Sequence, residues 1–248
     1  YPFAERVDNK IMTEEFIPSL FNGRGAYVWE TALPLYDPEG CLIGSIESIR
    51  DITDRMKSES AMKRRDTLLS GIAVASNLLL TVQDYEAGMS QALEIMGLAA
   101  EVESICVFEA HRIAEEQFAG VKFSWTREAR SSRDNRVGQI KRQNTCCGRL
   151  PSSWQAPLMT GKSVRGTAKD FDDLDKCILG YSANLMLVVP ILLDGEFWGF
   201  ICLCDHNPDR HWANWEVSIL KAFGSCIGGA IIRKRAEDAL RNSERKYK

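Results

Sequence analysis

The run Cys202-Leu203-Cys204-Asp205-His206 is the densest group of chemistry-bearing side chains in the chain. Residues two apart on a strand project to the same side, so both thiols address one space. With His206 beside them they are candidate ligands for haem iron or another metal, or a redox pair. An inert account competes with this one. Cysteine is among the most buried residue types and often packs as a small hydrophobe. A zinc site would want four ligands in paired spacing, and no second pair is visible.

Other candidates are weaker. Cys146-Cys147 lies in an arginine-rich stretch, where positive charge lowers a thiol pKa and exposed thiolates can act as redox sensors. A cysteine beside an arginine is more often only that. Between Lys122 and Arg149 the basic residues Lys122, Arg127, Arg130, Arg133, Arg136, Lys141, Arg142 and Arg149 face only Glu128 and Asp134. They can form a lid over an anionic ligand or a solvated loop. Gly161-Lys162-Ser163 is not a phosphate loop, because Ala156 and Pro157 stand where its first glycine belongs. His111, His206 and His211 lack the sequence setting of a kinase phosphoacceptor, and no glycine-rich ATP lid occurs. No Ser-His-Asp or paired-carboxylate pattern is recognisable, so no catalytic activity is expected of these residues.

The thiols sit in Leu185–Asp205, LMLVVPILLDGEFWGFICLCD, where two apolar runs flank Asp194-Gly195, a dipeptide suited to the positive φ of a tight hairpin turn. Both faces are mostly apolar, so both should be covered. Pro190 cannot donate to a ladder and implies a bulge or an unpaired position. Upstream, Asp66–Leu80 and Tyr85–Ala100 read as helices, Ser104–Glu109 and Gln117–Trp125 as strands, Ser131–Gly148 as a loop, and Trp154–Gly161 as a short helix. Asp170–Tyr181 reads as a loop or short helix. From Trp215 to the end the chain is helical, with a seam through Ile219, Phe223, Cys226, Ala230 and Arg233, and with Gly228-Gly229 open to a second helix. Near the start, residues 27–35 and 42–49 form a hairpin around the turn Tyr36–Gly40, and residues 1–25 signal weakly. A lone hairpin is marginal in water, so its missing strands must come from residues 1–25, from further chain or from a partner. Asp51 or Thr53 then starts a short, imperfect helical seam.

Composition fits a soluble globular chain: 45% hydrophobic, 26% charged, net charge −3 over 248 residues. Nothing in that balance calls for a nucleic-acid partner. No uninterrupted apolar run approaches the roughly 20 residues that span a bilayer, and no signal peptide is visible, so no membrane contact is expected. A chain beginning at Tyr1 reads as a piece of a longer one. Five of the eight cysteines lie inside apolar patterns, which favours reduced thiols in the cytoplasm over a disulfide framework.

Two resemblances emerge. The stretch LPLYDPEGCLIGSIESIRDITDR, ending on Asp51-Ile52-Thr53, resembles the carboxy-terminal half of a PAS domain over residues 1–55. Residues 188–206, the run Asp209-Arg210-His211-Trp212 and the helix Glu216–Arg233 resemble a GAF domain of sensor histidine kinases, which places it at 66–235. In relatives the second strand ends on an acid where Cys204 stands. The implied fold class is α+β: a GAF-type central antiparallel sheet flanked by helices, preceded by a partial PAS hairpin, a linker helix at 56–65, and followed by a signalling helix at 236–248. The resemblance implies a cytoplasmic sensory segment that dimerises through its first and last long helices and feeds a downstream kinase module. It implies a small-molecule pocket, with Trp125, Phe171, Tyr181 and Phe200 as candidate lining and Cys202, Cys204 and His206 as candidate cofactor ligands. The cofactor is unknown; some GAF sensors carry haem on cysteine or histidine, whereas the Cys-His dipeptide of bilin-binding relatives does not occur. A haem or thiol redox sensor and a ligand-free dimerisation scaffold remain the alternatives.

Overall fold

The computed structural model describes residues 5–7, 10–113, 116–127, 147–166, 185–205, 207 and 210–246. The chain divides into two compact units, Tyr1–Arg64 and Arg65–Lys248.

In the first unit β1 (Glu5–Val7), β2 (Lys10–Ile17), β3 (Ala26–Tyr36) and β4 (Leu42–Asp51) form an antiparallel sheet in that order. A short helical turn, α1 (Leu20–Gly23), joins β2 to β3. The expected hairpin is present and longer at its ends, and residues 1–25 supply the two strands it lacked. Those strands were hard to read because β2, KIMTEEFI, places two glutamates side by side and blurs the alternation. Ala26, Val28 and Ile52 are buried, whereas Phe16, Tyr27, Trp29, Leu35 and Ile46 share the other face of the sheet, where they are exposed. Asp51 accepts the Thr53 amide at 2.9 Å. The Thr53 hydroxyl and amide hold the Asp51 carboxyl below its usual range. The Thr53 hydroxyl accepts from the Tyr27 amide at 2.9 Å, tying the strand pair to the next helix.

That helix, α2 (Thr53–Thr81), runs unbroken for 29 residues. The sequence places helix over both 56–65 and 66–80, and the structure joins them. With no glycine or proline between Thr53 and Ser70, a polar stretch is only a solvated helix surface, not a break. It buries Leu68, Gly71, Ala75 and Leu79; Leu69, expected on the same side, is exposed.

The second unit continues with α3 (Tyr85–Ala99), β5 (Ser104–Ile113), β6 (Glu116–Thr126), β7 (Cys147–Arg149), α4 (Ser152–Met159), β8 (Val164–Gly166), β9 (Leu185–Leu193), β10 (Glu196–Asp205) and α5 (Asn214–Lys246). Asp84 caps α3, accepting the amides of Glu86 and Ala87 at 3.0 and 3.2 Å. The six strands pair antiparallel throughout, in the order β7-β6-β5-β10-β9-β8. β7 begins at the end of the stretch read as loop and runs one residue past it, and β8 is too short to show in the sequence. The β9–β10 turn has φ of 50° at Asp194 and 87° at Gly195, as the dipeptide requires. Pro190 lies two residues beyond the last β8 pair, and the bulge falls on β10 between Phe197 and Gly199.

Each face of this sheet carries its own core. On one, Leu187, Val189, Ile201 and Leu203 pack with Leu68 of α2, Leu93 and Met96 of α3, and Phe223 and Ile227 of α5. On the other, Met186, Val188, Phe200, Cys202 and Cys204 meet Leu150 and α4 through Trp154 and Leu158. Each fully buried aliphatic side chain is worth about 1.5–3 kcal/mol, so both layers stabilise the sheet.

The buried side of α5 is Val217, Leu220, Phe223, Ile227, Ala230 and Ile231, turned slightly from the expected seam, with Ile219 and Cys226 at its margin. A Cβ on Gly228 would lie 2.8 Å from the Leu192 carbonyl oxygen, while Gly229 faces open space. The close approach is therefore to strand β9, not to a second helix. By length and composition Asn214–Arg245 is apolar enough to cross a membrane, but half of its most apolar window is buried against the sheet.

Tyr85, at the start of α3, packs edge-on against Phe123 with ring centroids 5.7 Å apart. Burial, then the charges of Glu86 and Glu109, push its phenol up to about 12, with Arg235 opposing. The folded state thus holds this proton more tightly than the unfolded chain, whose tyrosine titrates near 10. The stability from the neutral phenol is complete below about pH 10 and is lost as pH rises towards 12. Denaturant melts at pH 9 and 11.5 are expected to show a smaller loss in Tyr85→Phe than in the parent. An equal loss would remove Tyr85 as its source.

Candidate functional site

The antiparallel register builds the candidate site from three strands. Cys202 and Cys204 leave β10 on one face, and their sulfurs stand 3.7 Å apart. β9 brings Met186, whose Sδ lies 3.9 Å from Cys202 Sγ. β5 adds Cys106, paired directly opposite Cys202. The thiols are buried, with 4% of Cys202 and 3% of Cys204 exposed. The hydrogen bond to Cys204, then burial and the neighbouring thiols, raise the Cys202 pKa well above the usual range. Burial, followed by Cys204, does the same to Cys106. Such thiols stay protonated at neutral pH and are poor nucleophiles.

The expected ligand set is only partly assembled. Phe200 stacks on Phe108 beside the thiols, centroids 4.7 Å apart and planes 16° off parallel. A macrocycle ligated by either thiol would have to displace that stack, so the described residues do not fit haem. Trp125 lies on the opposite face, against α3, its ring seated where a Cβ on Gly97 would come within 2.0 Å. Trp125 and Phe200 therefore cannot line one pocket, because β6 alternation sends Trp125 to the helical side. His206, Phe171, Tyr181 and Cys146 lie outside the described residues, as does 128–146, most of the basic loop. His111 and His211 are exposed. Gly161, with φ of 75°, follows the C-cap of α4, which is the place of Gly161-Lys162-Ser163 in the fold. Among the described residues no three His, Cys, Asp or Glu side chains are grouped to hold a metal. In the first unit an open hollow of about 400 Å³ is lined by Trp29, Arg50, Asp51, Ile52, Asp54 and Arg55.

Two polar constellations escaped sequence reading. Arg210 is buried between β10 and α5: it pairs with Asp205 at 3.1 Å and Glu216 at 3.5 Å. It also donates to the carbonyls of Ala100 and Glu101 at 2.8 and 3.3 Å and lies 4.2 Å over the Trp212 ring. Glu216 in turn accepts the Ala213 amide at 2.8 Å, starting α5. Farther along α5, Arg233 donates to the carbonyls of Leu80 and Leu79, both at 2.5 Å, closing the end of α2. Ser76 donates to Cys226 Sγ at 3.1 Å between the same helices.

A six-stranded antiparallel sheet, with helices from both ends of its unit on one face and a short helix on the other, defines an α+β module with a separate, thiol-bearing face. The GAF domain family model matches residues 84–231, and the chain belongs to that family. It is 30% identical over 216 residues to the methanogenesis regulatory histidine kinase FilI of Methanothrix harundinacea (strain 6Ac), a match covering 84% of this chain. The chain spans 23% of that kinase's length. Among solved structures, the GAF domain of a phosphoenolpyruvate-protein phosphotransferase from Coxiella burnetii superposes with a TM-score of 0.53 at 11% identity, covering 71% of this chain and 98% of that one. The free methionine-R-sulfoxide reductase of Neisseria meningitidis gives 0.50 at 12% identity over 68% of this chain and 91% of its own. These likenesses show the fold.

Proposed function

We propose that the chain is a sensory, non-catalytic segment of a cytoplasmic sensor histidine kinase, whose GAF module reports a small ligand or redox state to a kinase module through paired helices. The observation that carries this is the Arg233 clamp. A helix entering the module and a helix leaving it are bonded to each other on one face of the sheet, at the carbonyls of Leu79 and Leu80. A change in sheet packing that favours one arrangement of α2 and α5 shifts both together, provided the ligand binds the two arrangements unequally. Kinship with a regulatory histidine kinase supports the reading. Residues 1–55 are taken as the carboxy-terminal half of a PAS domain, supported by an antiparallel sheet whose last strand ends at Asp51, just ahead of Ile52-Thr53.

In this reading α2 and α5 pair with their counterparts in a parallel homodimer. Leu69 and Leu80, eleven residues apart on one stripe of α2, and Leu240 on α5 leave large apolar side chains exposed. Light scattering is expected to give a dimer that Leu69→Glu/Leu80→Glu converts to a monomer. A parent chain that is monomeric at high concentration would overturn the proposal. In the full-length kinase, Arg233→Ala is expected to change the stimulated-to-basal autophosphorylation ratio by about 5-fold or more. A second reading, a ligand-free spacer, is favoured by the close packing around Cys202 and Cys204. Native mass spectrometry of the purified protein separates the two.

A further inference from the structure

We propose that the sulfurs of Cys202, Cys204 and Met186 form a binding site for a soft monovalent cation of the Cu(I) and Ag(I) class. This names a ligand for the sensing face and rests on that reading; the experiment below measures binding directly, so failure of the site and failure of the relay give different results. A metal–sulfur bond of roughly 2.3 Å puts the sulfurs of a trigonal site about 4 Å apart. Cys202 Sγ already stands 3.7 Å from Cys204 Sγ and 3.9 Å from Met186 Sδ. Two paired strands hold these donors: Cys204 is opposite Met186, and Cys202 opposite Val188. The site is therefore set by sheet register and not by a loop. The donor chemistry is selective. Thiolate and thioether together suit Cu(I), whereas zinc asks for four ligands, and calcium or magnesium for oxygen.

The rival use of the two thiols, a disulfide, fits less well. Two residues along a strand advance about 6.6 Å, at the upper limit of the Cα separation a disulfide accepts. Ion binding needs only sulfurs roughly 4 Å apart, and Cys202 Sγ has both other donors within 4 Å. The step is an exchange: one cation binds, both thiols become thiolates, and two protons leave to solvent. The bound group then carries one negative charge. Cys106 stands opposite Cys202 in the strand register, a further thiol beside the site.

The test is an anaerobic titration of the reduced chain with Ag(I), and with Cu(I) held by a chromophoric chelator, read by ultraviolet charge-transfer absorption and chelator competition. Cys41 is exposed and serves as a control for loose surface binding. The parent is expected to bind one tight equivalent with about three sulfurs near 2.3 Å by X-ray absorption. Cys202→Ser/Cys204→Ser should lose it and Cys41→Ser should keep it. Met186→Leu, close to volume-conserving and so expected to fold, should weaken binding by about ten-fold or more. Full tight binding by the double serine variant, or unchanged affinity with a three-sulfur shell in Met186→Leu, overturns the site. If the double variant does not fold, the Met186→Leu result decides alone. An ion that binds as expected while the α2–α5 distance stays fixed by spin-label measurement upholds the site and removes the relay.

Discussion

Arg210→Met is expected to destabilise the second unit by about 3–5 kcal/mol, lowering its melting temperature by roughly 10 °C. The reason is what remains when the cation goes. The side chains of Asp205 and Glu216 are 9% and 2% exposed, and each would keep a buried charge without the guanidinium that faces it. The carbonyls of Ala100 and Glu101 would also lose their donor at the end of α3. The shape of the loss is as informative as its size. Glu216 holds the Ala213 amide, so Glu216→Gln keeps an acceptor for that bond and discards the orphaned charge. Arg210→Met/Glu216→Gln is therefore expected to be more stable than Arg210→Met alone, though Glu216→Gln by itself destabilises. Urea melts of the four proteins form a double-mutant cycle. A loss below about 1 kcal/mol for Arg210→Met would mean the buried ions are not the fastening described. In the proposed relay the consequence is direct, because this cluster joins the strand that carries both thiols to α5.

The parts of the molecule that were legible in sequence are those fixed by neighbours in the chain. The β9–β10 hairpin follows from Asp194-Gly195 between apolar runs, and α3 follows from the apolar stripe Met89, Ala92, Leu93 and Met96. The face shared by Cys202 and Cys204 follows from strand alternation alone. What stayed hidden depends on pairing across distance. Cys106 joins the thiols only through the register of β5 on β10, almost a hundred residues away. Trp125 and Phe200 look alike as aromatic residues on strands, and only their register assigns them to opposite faces. Arg210 looks like an ordinary loop arginine until β10, α5 and the end of α3 close around it. Helix α2 lies between these cases: helix is legible over 56–65 and 66–80, but its polar stretch is solvated surface, where the apolar period that would join the two parts lapses.

The same distinction between chain-local and long-range constraint predicts that Gly199→Ala will be the most damaging alanine substitution at a glycine of the sheet. A Cβ there would lie 2.0 Å from the Phe108 carbonyl oxygen, 3.1 Å from its carbon and 3.2 Å from Glu109 Cα. All three are backbone atoms of β5, so no side-chain rotation relieves the contact, and β10 must move away from β5 or break its pairing. At Gly97 the obstacle is the Trp125 ring, a side chain that can turn aside at the cost of its packing. Gly199→Ala is accordingly expected to cost more than about 3 kcal/mol. Gly229→Ala, with nothing within 4 Å in the middle of α5, is expected to stabilise by about 0.5–1 kcal/mol. Because Gly199 pairs with Glu109 in the register that sets Cys202 against Cys106, damage there should reach the thiols. Labelling of Cys106, Cys202 and Cys204 by a thiol reagent in native buffer is expected to accelerate in Gly199→Ala, while exposed Cys41 reacts at its parent rate. Unchanged protection of the three buried thiols would show that the β5–β10 contact does not hold the site together, and the metal-binding geometry would then need another origin.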